Sequence, residues 1–484
     1  MEITVQTEPP SEILQDENCK TVMNYNQDNK RFSYRIKINS PITLKTKSFA
    51  EIPSQSQNAQ TINLSEGGIG ISFDAEVKLP SPLLIEFSLM NTPLQFQGEV
   101  RWNKIFDDGK YYCGVHFLDK DEQQEDILKR FLFTNNEYIL NLIKDLKTED
   151  RDVSGKIESF FRRDVKEFVE NLISFEEAVK EKSLPDDFIQ KRVEFISEEI
   201  CKRGDTLEKI IGKGLLIKKI KESFRSLIGH WVYKSKFMER AYKRPCGYRG
   251  DYYMLEMIYN NQLISEGLGI YFDRWFLDNP YAIAVRNRKE KIKESIRTFL
   301  KETALSSINV LNIASGPCRE IKELLDDMRL IKKELNFTCV DFDEEAINFS
   351  KNRLKSLPEN LKIEFLKDNV TKLIDSKKYT KFFGKQNLIY STGLTDYLPD
   401  RVLKNFIFFA FSVLYPNGKL ILTHKDKDKY SPVPLDWVVD WIFEPRNVSD
   451  LIRLAENSGI NNYSADIEWE DSNKTFFLIL TKKG

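Results

Sequence analysis

VLNIASGPCREI, residues 310–321, runs from an apolar stretch through Ala314, Ser315 and Gly316 into a helical pattern. A strand that turns on small residues and enters a helix at once lets a bound molecule approach backbone N–H groups at the helix start. A full Gly-x-Gly-x-x-Gly is absent. That speaks against an ordinary dinucleotide-phosphate site and leaves room for a cofactor without phosphates.

On either side of this stretch the chain alternates strand and helix. Candidate strands are 309–313, 337–341, 363–367, 387–391 and 419–424, separated by segments long enough for crossover helices. The pattern predicts a doubly wound α/β sheet. ADIEWE (465–470) and TFFLILT (475–481), joined by DSNK, read as a closing antiparallel hairpin. Open sheets of this kind bind ligands along the carboxyl edge of their strands. CVDFDEEAI (339–347) brings Asp341 and Asp343 to that edge, EFLKDNVTKL (364–373) brings Asp368 and Asn369, and NLIYSTGLTDYLPD (387–400) brings Ser391, Asp396 and Tyr397. Asp343 either assists Asp341 or caps the following helix, with capping expected.

Upstream, helical periodicity runs with breaks from about residue 121 to about residue 300. Ile157, Phe160, Phe161, Val165, Phe168, Val169, Leu172 and Ile173 fall on one stripe, the mark of a packed helix face. Within it RAYKRPCGYRGDYYMLEMIY (240–259) packs Pro, Gly, Tyr, Arg and Asp ahead of a helix, and AVRNR (284–288) adds two arginines. Residues 32–117 have a different texture, with short alternating runs broken by Gly, Pro and Asp-Asp-Gly, which predicts a small β-barrel or sandwich. The first 27 residues are polar and without period, as in a flexible leader.

Composition narrows the field. Lys plus Arg number 73 against 74 Asp plus Glu in 484 residues, so no global field favours nucleic acid or a membrane surface, and any anion site must be local. The longest apolar run, residues 406–415, is far shorter than the roughly 20 residues of a membrane span, and the N-terminus lacks a signal peptide's basic and apolar regions. A soluble, cytoplasmic chain is expected. Six cysteines are scattered without a Cys-x-x-Cys pair, so reduced buried thiols rather than a metal site are expected. Of three histidines, His424 follows a strand near the sheet's carboxyl edge and is the one to consider for catalysis.

Two resemblances sharpen this reading. RFSYR (31–35) and NLSEGG (63–68), followed by GEVRW and YCGVHF, resemble the PilZ family over residues 28–135. The resemblance implies a β-barrel that binds cyclic di-GMP, with Arg31 and Arg35 clamping phosphate and base and with Asn63, Ser65 and Gly68 on the barrel surface. The residue types suit that ligand, because guanidinium forks pair bidentately with phosphates and guanine edges. Residues 296–484 look like the class I S-adenosylmethionine-dependent methyltransferases, a Rossmann-like fold. That likeness implies a cofactor site of Ala314, Ser315, Gly316, Asp341, Asp343, Asp368, Asn369 and Ser391, with Asp341 on the ribose hydroxyls. The departure is Asn312, where many members carry an acid.

The 240–259, 284–288 and 387–400 stretches are similar to a bacterial group annotated with making 3-hydroxy fatty acid methyl esters. This implies a lipid or other small-molecule acceptor handled by Tyr248, Arg249, Asp251, Arg286, Arg288, Tyr397 and, in the last instance, His424. The expected organisation is leader 1–27, PilZ domain 28–135, helical linker and substrate region 136–295, and methyltransferase domain 296–484. The alternative is a cyclic di-GMP effector whose methyltransferase-like half is non-catalytic and acts through protein contacts.

Overall fold

The computed structural model describes residues 35–38, 41–45, 56–74, 79, 82–89, 92–106, 108–327, 333–369, 382–429 and 431–484. The expected leader and Arg31 lie outside the described residues.

The first sheet has seven strands: β1 (Ile36–Lys37), β2 (Pro41–Lys45), β3 (Ser56–Ser65), β4 (Gly68–Phe73), β5 (Leu83–Leu89), β6 (Thr92–Ile105) and β7 (Tyr111–Asp119). They pair antiparallel in the order β1-β3-β2-β5-β6-β7-β4, and a further β3–β4 pairing curls the sheet back on itself. In β5 the sequence LLIEFSL turns Leu83, Ile85, Phe87 and Leu89 to the core and the residues between them outward, as a half-buried strand requires.

Helices then carry the chain to the second sheet. They are α1 (Glu122–Thr134), α2 (Asn136–Ile143), α3 (Arg151–Ser159), α4 (Lys166–Glu181), α5 (Asp186–Ile211), α6 (Leu215–Val232), α7 (Lys236–Lys243), α8 (Tyr252–Asn260), α9 (Gly269–Leu277) and α10 (Pro280–Glu302). Asn135 ends α1 and caps α2, accepting from the Glu137 and Tyr138 amides, so the chain bends there without losing backbone bonds. Between α3 and α4, Phe160–Val165 forms a turn of π-helix. It keeps Phe160, Phe161 and Val165 buried, and the apolar stripe continues across it into α4.

The second sheet orders its strands β10-β9-β8-β11-β12-β14-β13. These are β8 (Ser307–Ile313), β9 (Glu334–Asp341), β10 (Leu361–Lys367), β11 (Gln386–Ser391), β12 (Leu414–Lys425), β13 (Tyr463–Trp469) and β14 (Thr475–Lys482). The first five are parallel, while β14 runs antiparallel to both β12 and β13. Strand order reverses between β8 and β11, which places a crevice at their carboxyl ends. Among the described residues this unit also has helices α11 (Arg319–Asp327), α12 (Glu344–Arg353), α13 (Asp400–Ser412), α14 (Val433–Val439) and α15 (Val448–Glu456).

One hydrophobic core runs without a break from Ile36 of the curled sheet through the helices to Trp437 and Trp441. The second sheet is covered on both faces by two further clusters. Trp437 of α14 is the keystone between the helices and the second sheet. It is fully buried, it stacks edge-on to Phe160 and Phe224 at 5.6 Å, and it lies so close to Gly204 of α5 that a Cβ there would sit 2.8 Å from the indole.

Candidate functional site

The turn after β8 is built from left-handed backbone. Ala314, Gly316 and Cys318 have φ of 57°, 53° and 49°, a conformation that costs non-glycine residues energy and that clusters at functional sites. The turn is held by its neighbours. Ser315 N–H donates to the Val340 carbonyl at 3.0 Å, and Ser350 Oγ donates to the Gly316 carbonyl at 2.9 Å. Asp341, at the end of β9, accepts from Gly316 N–H at 2.8 Å and from Asp343 N–H at 3.0 Å. Burial raises its carboxyl above the ordinary value, opposed by those amides. Asp343 does cap α12, accepting from Glu345 N–H at 2.9 Å, and it also accepts from Tyr248 Oη at 2.7 Å.

These groups open onto a cavity of about 360 Å³. Ala314, Gly316, Asp341 and Phe342 line it, together with Arg288, Gly393, Tyr397, Lys425 and Trp441. Residues 244–252 roof it. Tyr248 stacks edge-on against Phe342 at 4.7 Å. Arg249 donates to the Asp440 carbonyl at 2.8 Å, and Arg244 reaches both the Asp440 carbonyl and its carboxylate. At Gly250, φ is 66° and an added Cβ would lie 2.9 Å from the Trp441 ring, so glycine alone lets the roof close here.

Arg288 and Lys425 are nearly buried, yet both line the cavity. Lys425 Nζ donates to Asp396 at 2.7 Å, and Arg288 Nη1 lies 3.8 Å from the same carboxylate. Burial would raise Asp396, but Lys425, His424 and Arg288 beside it hold its carboxyl below the ordinary range. Burial likewise lowers Lys425 and His424. With His424 neutral, two cations share one carboxylate, an arrangement that leaves positive charge for an anion. His424 itself is fully buried, pairing with Thr395 Oγ1 at 3.0 Å and the Glu444 carbonyl at 3.2 Å.

The remaining expected residues fall elsewhere. Asp251 caps α8 and accepts from Arg240, which makes it a support of the roof. Arg286 donates to the Leu277 carbonyl at 2.9 Å and does not line the cavity. Ser391 is buried and donates to the Ile313 carbonyl at 2.7 Å, stitching β11 to β8. Asp368 and Asn369 follow β10 outside the cavity lining. Ser315 is buried and also outside it. At Asn312, Nδ2 donates to Glu320 at 3.1 Å, and Tyr390 Oη donates to the same oxygen at 2.9 Å. An acid from α11 therefore stands beside the strand end, its carboxyl raised by burial. Lys425 and Trp441 were not found from sequence, since neither segment carries a motif of its own, and Glu320 lies within the 310–321 stretch without a signal that singles it out.

In the curled sheet Arg35 Nη1 donates to Asn63 Oδ1 at 3.0 Å. Ser65 and Gly68 are buried, not on the surface as expected: Ser65 Oγ donates to the Gly68 carbonyl at 3.1 Å, and Gly68 packs against β7, where a Cβ would collide with the Val115 carbonyl at 2.2 Å. Asn63, Gly70, Gly114 and Trp102 form one cross-strand row through β3, β4, β7 and β6. The half-exposed indole of Trp102 lies over Gly114. It had appeared in sequence only as part of GEVRW, and the register is what puts it near Asn63. The far side of this site touches the helices: Asn141 Nδ2 donates to the Arg35 carbonyl at 2.9 Å, and Tyr138 Oη donates to Glu66 at 2.5 Å.

The PilZ domain family matches residues 29–134, the curled sheet with α1. PilZ is a cyclic di-GMP-binding domain. No curated protein matches the chain. Among solved structures, a possible exported protein from Bordetella parapertussis is 15% identical over 51% of this chain and 86% of its own, with a TM-score of 0.40. The magnesium protoporphyrin IX methyltransferase of Synechocystis PCC 6803 with bound SAM is 12% identical over 44% of this chain and 91% of its own, with a TM-score of 0.31. The N-methyltransferase NodS of Bradyrhizobium japonicum WM9 is 14% identical over 43% and 99%, with a TM-score of 0.29.

Proposed function

We propose that the chain is a cyclic di-GMP-responsive, S-adenosylmethionine-dependent methyltransferase acting on an acidic acceptor, for which the carboxylate of a 3-hydroxy fatty acid is the specific candidate. The observation that carries the reading is that one cavity is lined both by the carboxylate of Asp341 and by the Arg288–Lys425 pair. The turn fits a cofactor: among the described residues, a Cβ built on Gly316 would meet only Leu255 Cδ1, at 3.7 Å. S-adenosylmethionine supplies an activated methyl on a sulfonium, so little acid–base chemistry is asked of the protein.

What the chain contributes is binding and alignment. Asp341 holds the ribose hydroxyls, and Ala314 and Gly316 let the ligand lie against the backbone. Arg288, backed by Lys425, draws in the acceptor's carboxylate, which is unprotonated and nucleophilic at neutral pH. Tyr248, Arg249 and Tyr397 close the cavity and exclude water, which converts an encounter of two reactants into a reaction within one complex. Arg31, Arg35, Asn63, Ser65 and Gly68 bind cyclic di-GMP, and Trp102, on the same cross-strand row as Asn63, offers a stacking face.

The test is calorimetric titration with S-adenosylmethionine, followed by transfer of labelled methyl to 3-hydroxy fatty acids with and without cyclic di-GMP. Cofactor binding, a labelled ester and a rate that changes with cyclic di-GMP are expected. Label reaching only amines, protein or nucleic acid would sink the acceptor assignment. The placement of Asp368 and Asn369 outside the cavity lining favours one rival, a cyclic di-GMP effector that works by protein contact. Absence of cofactor binding would decide for it.

A further inference from the structure

A second cavity, of about 400 Å³, lies at the seam between the helices and the second sheet, away from the first. Its floor is aromatic and apolar: Trp275 of α9 and Tyr281 of α10, both nearly buried, with Val433 and Pro434 opposite. A narrow recess continues from that floor between Met238, Phe276 and Leu435. Its rim is different. Lys202 of α5, Lys429 after β12 and Lys474 from the β13–β14 turn converge from three separate parts of the chain.

The charges on that rim are unevenly spent. Lys202 is paired with Glu199 at 2.9 Å and lies 4.0 Å from Glu198, which also lines the cavity, and Asp205 is paired with Lys209 at 2.6 Å. Lys429 Nζ donates to Asn473 Oδ1 at 2.9 Å and sits 3.3 Å from the centre of the Trp469 ring, and Lys474 Nζ donates to the Lys429 carbonyl at 2.7 Å. All of those partners are neutral. Among the described residues no carboxylate lies within 4.0 Å of either ammonium, although the two lysines share a backbone contact. Two adjacent cations without a counter-ion, above an apolar floor, match a molecule that carries its negative charge at one end.

We propose that this second cavity is a binding site for a small organic anion with an apolar body, separate from the cavity that holds cofactor and acceptor. The anionic group sits between Lys429 and Lys474. The body lies on Trp275 and Tyr281. The site stands on its own geometry and would exist whether or not the first cavity carries out methyl transfer.

Two probes examine it on the full-length protein by calorimetry and tryptophan fluorescence: naphthalene-1-sulfonate, with a flat body, and decanoate, with a flexible one. Saturable binding of either at sub-millimolar concentration is expected, and the tighter of the two assigns the body as aromatic or aliphatic. A Lys429→Ala/Lys474→Ala variant should lose about 10-fold or more in affinity, in line with losing charge-assisted contacts, while S-adenosylmethionine titrates as before. Both lysines are on the rim, so the variant should melt as the parent does. The proposal fails if neither probe binds, if 1-naphthalenemethanol or decanol binds as tightly as its anionic partner, if the double variant binds normally, or if S-adenosylmethionine displaces the probes competitively.

Discussion

Gly393 shows how a single residue sets the chemistry of the cavity that Arg288 lines. Its φ is 86°, and a Cβ there would stand 2.8 Å from Arg288 Nη1, so the guanidinium reaches the cavity only because that carbon is missing. Gly393→Ala should therefore cost both backbone strain and Arg288 placement, and methyl transfer to an acidic acceptor should fall about 10-fold or more. Arg288→Met tests the charge directly. KM for the anionic acceptor should rise about 10- to 100-fold while S-adenosylmethionine affinity stays near its starting value, as steady-state kinetics beside calorimetry would reveal. An equal loss of both would place Arg288 in folding instead. At the other pole, replacing Arg31 and Arg35 together by alanine should abolish cyclic di-GMP binding and leave the far-ultraviolet circular dichroism unchanged. Asp341 was legible in sequence because strand-end acids announce themselves by order along the chain. Lys425 was not, because its closeness to Arg288 depends on β12 carrying it back to the same edge.

At the level of elements, α1, α4 and α6 are joined by a charged cluster that periodicity does not reveal. His230 Nε2 lies 2.8 Å from Asp126, and Arg130 bonds Asp126 and Glu176 at 2.8 and 2.6 Å. Burial raises Asp126, yet His230, Arg130 and Lys234 outweigh it and bring its carboxyl down to about 2. A carboxyl lowered on folding adds stability that is fully present above its unfolded value near 3.9 and is lost as pH falls toward the folded one. Between about pH 4 and pH 2 the protein should lose stability steeply. Asp126→Asn should flatten that slope and lower the neutral-pH melting temperature, both readable by thermal melts across pH. The helices themselves were legible from their spacing, as were the parallel strands from their apolar runs. The π-turn at Phe160–Val165 was not, since one extra residue within a helix leaves the stripe looking continuous.

For the molecule as a whole, the two sites are linked by packed matter. The Arg35 carbonyl is held by Asn141 of α2, the π-turn carries Phe160 to Trp437, and α14 ends in Asp440, on which Arg244 and Arg249 of the roof are anchored. Such a chain of contacts couples sites only if it has two arrangements that the ligands favour unequally. Asn141→Leu together with Tyr138→Phe should keep cyclic di-GMP affinity within a few-fold yet shrink its effect on methyl transfer. An unchanged response would refute this route. None of it could be read from the sequence, because contacts across more than 100 positions leave no local pattern.

The unbroken core from Ile36 to Trp441 also bears on how the protein can be taken apart. A fragment ending near residue 135 would bare the apolar underside of α1, where Leu128, Leu132 and Phe133 are sealed by the helices that follow. Such a fragment is expected to clump or to need detergent. The intact chain should melt in one calorimetric endotherm spanning the curled sheet and the helices together, so that a messenger gripping the front end would raise the heat tolerance of the back.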